Sequence, residues 1–340
     1  MPYRSTSSQA VSNWLFIVAL MVCAMILVGG ATRLTDSGLS ITEWKPISGA
    51  IPPLTTADWE ASFRLYQQTT EFQEQNSAMT LGDYETIFWW EWAHRQLGRM
   101  IGLVYGLPLL VFWLRGSISA HLKPRLLALL GLGALQGGIG WWMVASGLVD
   151  RLDVSQYRLA VHLGMAFLIL GASVWFGLTA RTGPPPVRQG RLVGAAAALL
   201  VLVFVQIMLG AFVAGLDAGR IYNTWPLMNG QLVPEDYLAG LPFMQAVFES
   251  HAAVQMNHRW TGYVVALAVM GFAIAIWREP RVALKPFMVI LPALVIAQIG
   301  LGIAALLAVV PLGLSLAHQG GAILLFIATL IATWTARRAM

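Results

Sequence analysis

The chain has 340 residues, of which 57% are hydrophobic and only 11% are charged. Soluble domains carry roughly 25% charged residues, so the composition excludes an ordinary soluble protein and indicates several membrane spans. Cys23 is the single cysteine, which excludes an intrachain disulfide and a cysteine-based metal site. The net charge of +5 comes from basic residues in short loops beside apolar runs, so we do not expect nucleic acid as a partner.

Eight apolar runs approach or exceed the ~20 residues that a helix needs to cross the hydrocarbon core of a membrane. Strands of alternating polarity, which a membrane barrel requires, are absent. The predicted fold class is therefore an all-α integral membrane protein with eight transmembrane helices. The predicted spans are 14–31, 87–114, 126–146, 159–180, 192–214, 252–277, 284–310 and 312–334.

The first span follows Arg4 and has an alternative interpretation as a signal peptide. Its apolar core is long for a signal peptide, and no clear small-x-small cleavage site follows it. We therefore interpret it as a transmembrane helix.

Basic residues predict the orientation, because cytoplasmic loops of membrane proteins are enriched in Lys and Arg. They place both termini in the cytoplasm and two long connections, 34–86 and 216–251, outside. The first connection is long enough to cover the outer mouth of the bundle. The basic residues concerned are Arg4, Arg115, Lys123, Arg125, Arg181, Arg188, Arg191, Arg278, Arg281, Lys285, Arg337 and Arg338.

The chain contains an internal repeat, in which histidines, glutamines and glycines recur in the same order. The matching pairs are His94 with His258, Gln136 with Gln298 and His162 with His318. Each copy has an even number of spans, so both copies share one orientation and form a parallel repeat. We predict two four-helix bundles, residues 1–183 and 184–340.

Four histidines lie several residues inside the spans that run from outside to inside. At a rise of 1.5 Å per residue, we expect all of them at one depth, on the order of 10 Å below the outer surface. They are His94, His162, His258 and His318. A lone membrane histidine is more often a packing residue, whereas four at one depth indicate metal ligation or proton transfer.

Two histidines on facing helices suit the axial positions of a haem iron in a bundle core. Zinc would need more donors than each repeat supplies. Glycines near the histidines leave room for a flat macrocycle, although close helix packing in lipid explains each of them as well. These glycines are Gly98, Gly164, Gly262 and Gly320. We predict two bis-histidine haem sites, one in each half.

Glu91 distinguishes the two halves. It precedes His94 by three residues and projects from the same helix face, whereas the second half has Gln255 at the equivalent position. An acid at this depth is a candidate catalytic base or charge stabiliser. The structural alternative is that Glu91 caps or pairs at the helix end.

The remaining polar residues near the outer level have two interpretations each. Five arginines suit pairing with haem propionates or anchoring at the membrane interface, and these are Arg33, Arg95, Arg99, Arg220 and Arg259. His251 is best interpreted as a surface residue, although it could support the second site. His121 lies in a basic cytoplasmic loop.

The run 91–99, Glu-Trp-x-His-Arg-x-x-Gly-Arg, resembles that of the haem A synthase family. Three further stretches resemble the same family, and they are 29–40, 44–53 and 223–230. The resemblance covers nearly the whole chain. It is closest to the bacterial and mitochondrial subgroup, because the paired cysteines of the other subgroup are absent.

This resemblance implies an oxidoreductase that converts a methyl group of haem O into a formyl group by successive hydroxylation. It implies that His258 and His318 hold a resident haem b. It also implies that His94 and His162 flank the substrate haem and that Glu91 takes part in the chemistry.

The resemblance further implies a place in the bacterial inner membrane and a role in terminal oxidase biogenesis. The implied partners are haem O, membrane lipid, haem O synthase, oxidase assembly factors and an electron acceptor of unspecified identity. A homo-oligomer is compatible with this reading.

Two other functions are compatible with the histidines. A di-haem cytochrome b would pass electrons without modifying haem, but it leaves Glu91 unexplained. A transporter with a histidine proton relay is consistent with repeats, yet histidines at one depth make a poor path across a membrane.

Overall fold

The computed structural model describes residues 6–148, 151–185, 190–278 and 282–338. Within these ranges the chain is helical and contains no β-strand. Eight of the helices are long and apolar enough to cross a membrane, which confirms the predicted all-α class and the number of spans. Arg4, Arg188 and Arg281, which the orientation prediction uses, lie outside the described residues.

The helices divide between two compact units, Met1–Arg181 and Thr182–Met340. Unit 1 contains α1 (Thr6–Leu34), α2 (Thr56–Tyr66), α3 (Thr70–Glu74), α4 (Leu81–Leu114), α5 (Lys123–Val144) and α6 (Gln156–Thr182), which runs one residue past the boundary. Unit 2 contains α7 (Arg191–Gly215), α8 (Phe243–Glu249), α9 (His251–Trp277), α10 (Phe287–Leu307) and α11 (Leu312–Arg338).

The predicted spans fall on the eight long helices, but several predicted ends differ from the observed ones, and the largest difference is at α1, which begins at Thr6 and not at 14. Helix α4 begins at Leu81 and not at 87, because Thr80 and Asp83 form a capping box that starts the helix within the polar segment. Helix α10 ends at Leu307 and not at 310. Residues 309 and 310 are apolar, but they adopt left-handed backbone angles before a proline, where a helix is disfavoured.

Side-chain hydrogen bonds to backbone carbonyls join the long helices of unit 1. Trp14 of α1 donates to the carbonyl of Val104 in α4 at 2.7 Å. Tyr105 of α4 donates to a carbonyl of α5, and Ser12 of α1 donates to a carbonyl of α6. Such bonds between helices are typical of packing in membranes, where lipid provides no alternative partner.

The four long helices of unit 2 form a closed ring. Helix α7 packs against α9 and α11, and α10 packs against the same two helices. Val203, Val269 and Leu291 are buried inside this ring. Thr333 of α11 adds a hydrogen bond of 3.1 Å to the carbonyl of Ala196 in α7.

The outer surfaces of the long helices are apolar. Leu20, Leu267 and Ile296 are 70%, 73% and 65% exposed, respectively. Exposing such surface to water costs about 25 cal/mol per Å². A lipid environment removes this cost, as expected for an integral membrane protein.

The unit 1 connection, residues 35–80, lies within the predicted outer connection 34–86 and is partly helical. It contains α2, α3 and a short 3-10 helix, Ser48–Ala50. Its core is aromatic, with Tyr66, Tyr84 and Phe88 buried against Trp59 and Phe63. The sequence pattern did not predict this core, because these aromatics are interspersed among acids and other polar residues.

Glu71 is a buried acid within this connection. Its side chain is 3% exposed, and its Oε2 atom has no hydrogen-bond partner among the described residues. Burial raises the pKa of Glu71 to about 8, and the neighbouring acids Asp36 and Asp153 add to this effect. An acid whose pKa is raised on folding contributes stability that is fully present below its unfolded pKa and is lost as the pH rises toward 8.

We therefore expect Glu71→Gln to remove the pH dependence of the stability of the connection. Limited proteolysis of the wild-type connection should accelerate between about pH 5 and about pH 8 and then level off, whereas the variant should not respond. The exposed Glu74→Gln on the same helix is the control. Equal pH profiles for wild type and Glu71→Gln would contradict the assignment.

Candidate functional site

Glu91 lies inside α4 and is 2% exposed. Its Oε2 accepts hydrogen bonds from Ser40 Oγ at 2.7 Å and from the backbone N–H of Ile41 at 2.6 Å. Its Oε1 accepts from Arg95 Nε and Nη2 at 2.9 and 2.5 Å. The predicted alternative, pairing, is therefore observed, although within the helix and not at its end. Four donors, two of them charged, surround a group that can only accept.

Two arginines of α4 fasten the unit 1 connection. Arg95 and Arg99 each donate to two backbone carbonyls of the connection. The accepting carbonyls belong to Ile41 (2.6 Å), Glu43 (2.9 Å), Lys45 (3.0 Å) and Pro46 (2.9 Å). Glu91 orients Arg95 from the other side. The guanidinium of Arg95 thus joins the Glu91 carboxylate to the unit 1 connection.

Unit 2 contains the same arrangement with an amide in place of the acid. Arg259 donates to the carbonyls of Tyr222 and Thr224 at 2.6 and 2.9 Å and to Gln255 Oε1 at 2.7 Å. Gln255 in turn donates to the carbonyl of Ala218 at 2.7 Å. Orienting the arginine therefore requires an acceptor but no negative charge. The charge of the Glu91 side chain is what distinguishes unit 1.

The other arginines predicted near the outer level also have protein partners. Arg33 pairs with Asp36 at 3.0 Å and with Asp153 at 3.3 Å, and Arg220 pairs with Asp217 at 3.7 Å. These contacts favour the anchoring interpretation over pairing with an external anion. His251 is exposed at the start of α9, as predicted for a surface residue.

The two predicted ligands of unit 2 face each other. The ring centroids of His258 and His318 are 6.3 Å apart, with their planes at 82°. His318 Nδ1 lies 3.1 Å from the backbone carbonyl of Gln298. A proton on Nδ1 can be donated to this carbonyl, which leaves Nε2 as the basic nitrogen.

His94 and His162 are the two predicted ligands of unit 1. In the described part of the chain their rings do not form the close contact seen in unit 2. His162 Nδ1 is buried without a hydrogen-bond partner there. The two units therefore hold their histidine pairs differently.

Each of the four histidines packs against a glycine of a neighbouring helix, where a Cβ atom would not fit without a shift. The distances from an ideal Cβ to the imidazole are 3.1 Å for Gly29 and His94, 2.9 Å for Gly140 and His162, 3.1 Å for Gly210 and His258, and 2.8 Å for Gly302 and His318. These glycines give the imidazoles their places in the helix packing.

Sequence analysis missed these glycines and selected others. Gly98 instead lies next to Met25, and Gly262 lies next to Gln206. A signal was available in the sequence, because three of the four glycines that seat histidines follow a glutamine by four residues. The glutamines are Gln136, Gln206 and Gln298.

The family model COX15-CtaA, described as cytochrome oxidase assembly protein, matches residues 12–330. A protein of Maricaulis maris named "Heme A synthase" is 74% identical over 341 residues, which cover 100% of both chains.

The chain belongs to the COX15-CtaA family.

The match spans both units, and the family suggested by the sequence resemblance is confirmed. Two further family members carry the same printed name. The protein of Rhizobium johnstonii is 50% identical over 327 residues, which cover 95% of this chain and 89% of the relative. The protein of Caulobacter vibrioides is 49% identical over 340 residues, which cover 98% of both chains.

We expect Arg259→Ala to loosen the unit 2 connection, residues 216–250, because the two hydrogen bonds that Arg259 donates to this connection are lost. A bond from a charged donor contributes about 1.5–3 kcal/mol, so proteolysis of the connection should accelerate at least about tenfold. Arg220→Ala is the control, since this arginine is 46% exposed and its ion pair is long. Equal cleavage rates in the two variants would contradict the anchoring role.

Proposed function

We propose that the chain is a haem A synthase, a membrane oxidoreductase that converts a methyl group of haem O into a formyl group for terminal oxidase biogenesis. The observation that carries this function is the buried Glu91 carboxylate, three residues before His94. It occurs in a chain that is 74% identical over its full length to a protein of that name.

His258 and His318 would hold a resident haem b in unit 2. Their ring centroids, 6.3 Å apart, would leave room for one metal ion between the two imidazoles, because an imidazole–metal bond is about 2 Å long. The contact of His318 Nδ1 with a backbone carbonyl is the outer-shell interaction that metal-ligating histidines usually make. When bound, the haem would supply an electron carrier.

His94 and His162 would flank the substrate haem in unit 1. Each hydroxylation breaks one C–H bond of the methyl group and forms one C–O bond to a water oxygen. Two electrons pass to an external acceptor, and two protons are released. Loss of water from the doubly hydroxylated carbon then yields the formyl group.

Glu91 would assist these steps through its carboxylate. A carboxylate fixed by four donors needs little reorganisation to stabilise positive charge that develops on the substrate. The same group can orient or deprotonate the attacking water. Ser40 and Arg95 hold the carboxylate in place.

The arrangement of the chain in the membrane is part of the proposal. Residues 1–183 and 184–340 are two copies of one four-helix unit, which the recurrence of arginine-anchored connections and glycine-seated histidines supports. Both termini face the cytoplasm of a bacterium, and both long connections face outward. Haem O synthase, oxidase assembly factors and a second copy of the chain are candidate partners in the inner membrane.

A di-haem cytochrome b is the alternative function. It accounts for the two histidine pairs but assigns no role to the charge of Glu91. Gln255 satisfies the same arginine contact in unit 2 without a charge. The carboxylate therefore favours chemistry over simple electron transfer.

We expect Glu91→Gln to keep the fold and the resident haem b, because Gln255 already performs the same anchoring in unit 2. Haem A yield should fall at least about 100-fold, which is typical for loss of a catalytic acid or base. Haem O or a hydroxylated intermediate should accumulate, as measured by mass spectrometry of extracted pigments. Glu43→Gln, an exposed acid of the same connection, is the control, and normal haem A yield from Glu91→Gln would remove Glu91 from the mechanism.

We expect His258→Ala and His318→Ala to lose the resident haem b, as measured by visible spectra of the purified chain. His94→Ala and His162→Ala should retain it. Loss of haem b from the second pair alone would reverse the assignment of the two units.

A milder variant pair tests the same site without removing a ligand. Gly302→Ala should weaken haem b binding, since its Cβ would lie 2.8 Å from His318. Gly300→Ala on the same helix should not, because its Cβ would have no neighbour within 4 Å.

A further inference from the structure

A glutamine holds the backbone of the histidine in three of the four glycine–histidine contacts. The side-chain Nε2 of each glutamine donates to the main-chain carbonyl of the histidine on the neighbouring helix. The distances are 3.0 Å from Gln136 to His162, 2.9 Å from Gln206 to His258 and 2.8 Å from Gln298 to His318. In a membrane, where water does not compete, such bonds between helices define their register.

The fourth contact lacks this bond. Helix α1 places Met25 four residues before Gly29, as Gln206 precedes Gly210. The Met25 methyl group lies 3.3 Å from the Cβ position of Gly98, and Gln206 Nε2 lies 3.4 Å from that of Gly262. Met25 therefore occupies the place of the glutamine beside His94, but its thioether has no hydrogen to donate.

The polar surroundings of the imidazole rings differ in the same direction. His318 Nδ1 lies 3.1 Å from the backbone carbonyl of Gln298, which can accept its proton. In the described part of the chain, His162 Nδ1 has no such partner. Unit 2 thus holds both histidine backbones and one imidazole at Nδ1, whereas unit 1 holds one histidine backbone and leaves Nδ1 of His162 without this restraint.

We propose that Gln206 is a positioning residue that makes haem binding in unit 2 durable, and that Met25 at the equivalent place makes haem binding in unit 1 reversible. This inference rests on the proposed function, in which one haem stays and the other is exchanged. A ligand whose main chain is fastened to the neighbouring helix, as that of His258 is, loses little freedom on binding iron. A ligand without this restraint must be ordered by the haem itself, and binding is correspondingly weaker.

The experiment exchanges the two residues in the full-length chain. Loss of an outer-shell partner typically costs about 10- to 100-fold in metal affinity. Gln206→Met should therefore accelerate the transfer of haem b from the purified protein to apomyoglobin by about that factor. The spectrum and midpoint potential of the remaining haem b should also shift, which a general loss of stability would not produce.

Val205→Met is the matched control. It adds a methionine to the same helix at an adjacent residue that is 43% exposed, so it should leave the transfer rate and the potential unchanged. An unchanged transfer rate and potential in Gln206→Met would overturn the inference.

Met25→Gln tests the inference in the opposite direction and does not depend on the folding of the first variant. Titration with ferric haem b of protein that already contains its resident haem should show tighter binding at the second site, by about tenfold or more. An unchanged dissociation constant would overturn the inference. Absence of haem b from the wild-type chain would instead refute the proposed function, so the two failures are distinguishable.

Discussion

The absence of water from the hydrocarbon core is the constraint on which this structure depends. A polar group that enters the core must find its partner within the protein. Arg95 and Arg259 meet this demand by binding the carbonyls of the two long connections and one acceptor on their own helices. Glutamines meet it by binding the main chain of the histidines. The polar residues of the long helices are therefore concentrated in a small number of hydrogen-bond networks, and these networks are the candidate site.

The same constraint makes the choice between an acid in unit 1 and an amide in unit 2 informative. Each unit orients an arginine with a side chain four residues earlier, and only unit 1 uses an acid for this purpose. A buried carboxylate is far more costly in lipid than an amide, and the amide is sufficient for anchoring. Unit 1 thus bears a cost that anchoring does not explain. Around the histidines the difference is reversed. Unit 2 has more hydrogen bonds to its histidines, and unit 1 has Met25 in place of one of the glutamines.

Much of this could be predicted from the sequence. Apolar runs of sufficient length predict helices with little ambiguity, because a spanning chain must satisfy its own backbone. Histidines and Glu91 stood out because polar residues are rare in such runs. The unit 1 connection was harder, since its aromatic core is assembled from residues far apart in a polar segment. The ends of α4 and α10 were also misplaced, because a capping box extends one helix and left-handed backbone before a proline shortens the other.

The class of the protein, the repeated histidines and the unmatched acid can be read from the chain alone, because each follows from residue type and spacing along one helix. Which of these groups meet depends on the tertiary structure. It selected Gly29, Gly140, Gly210 and Gly302 as the glycines beneath the imidazoles, and it paired Glu91 with Arg95 and the connection. It also gave Gln206 and Met25 equivalent places. These facts depend on the rotation of one helix against another, which side-chain packing sets and which no single helix encodes.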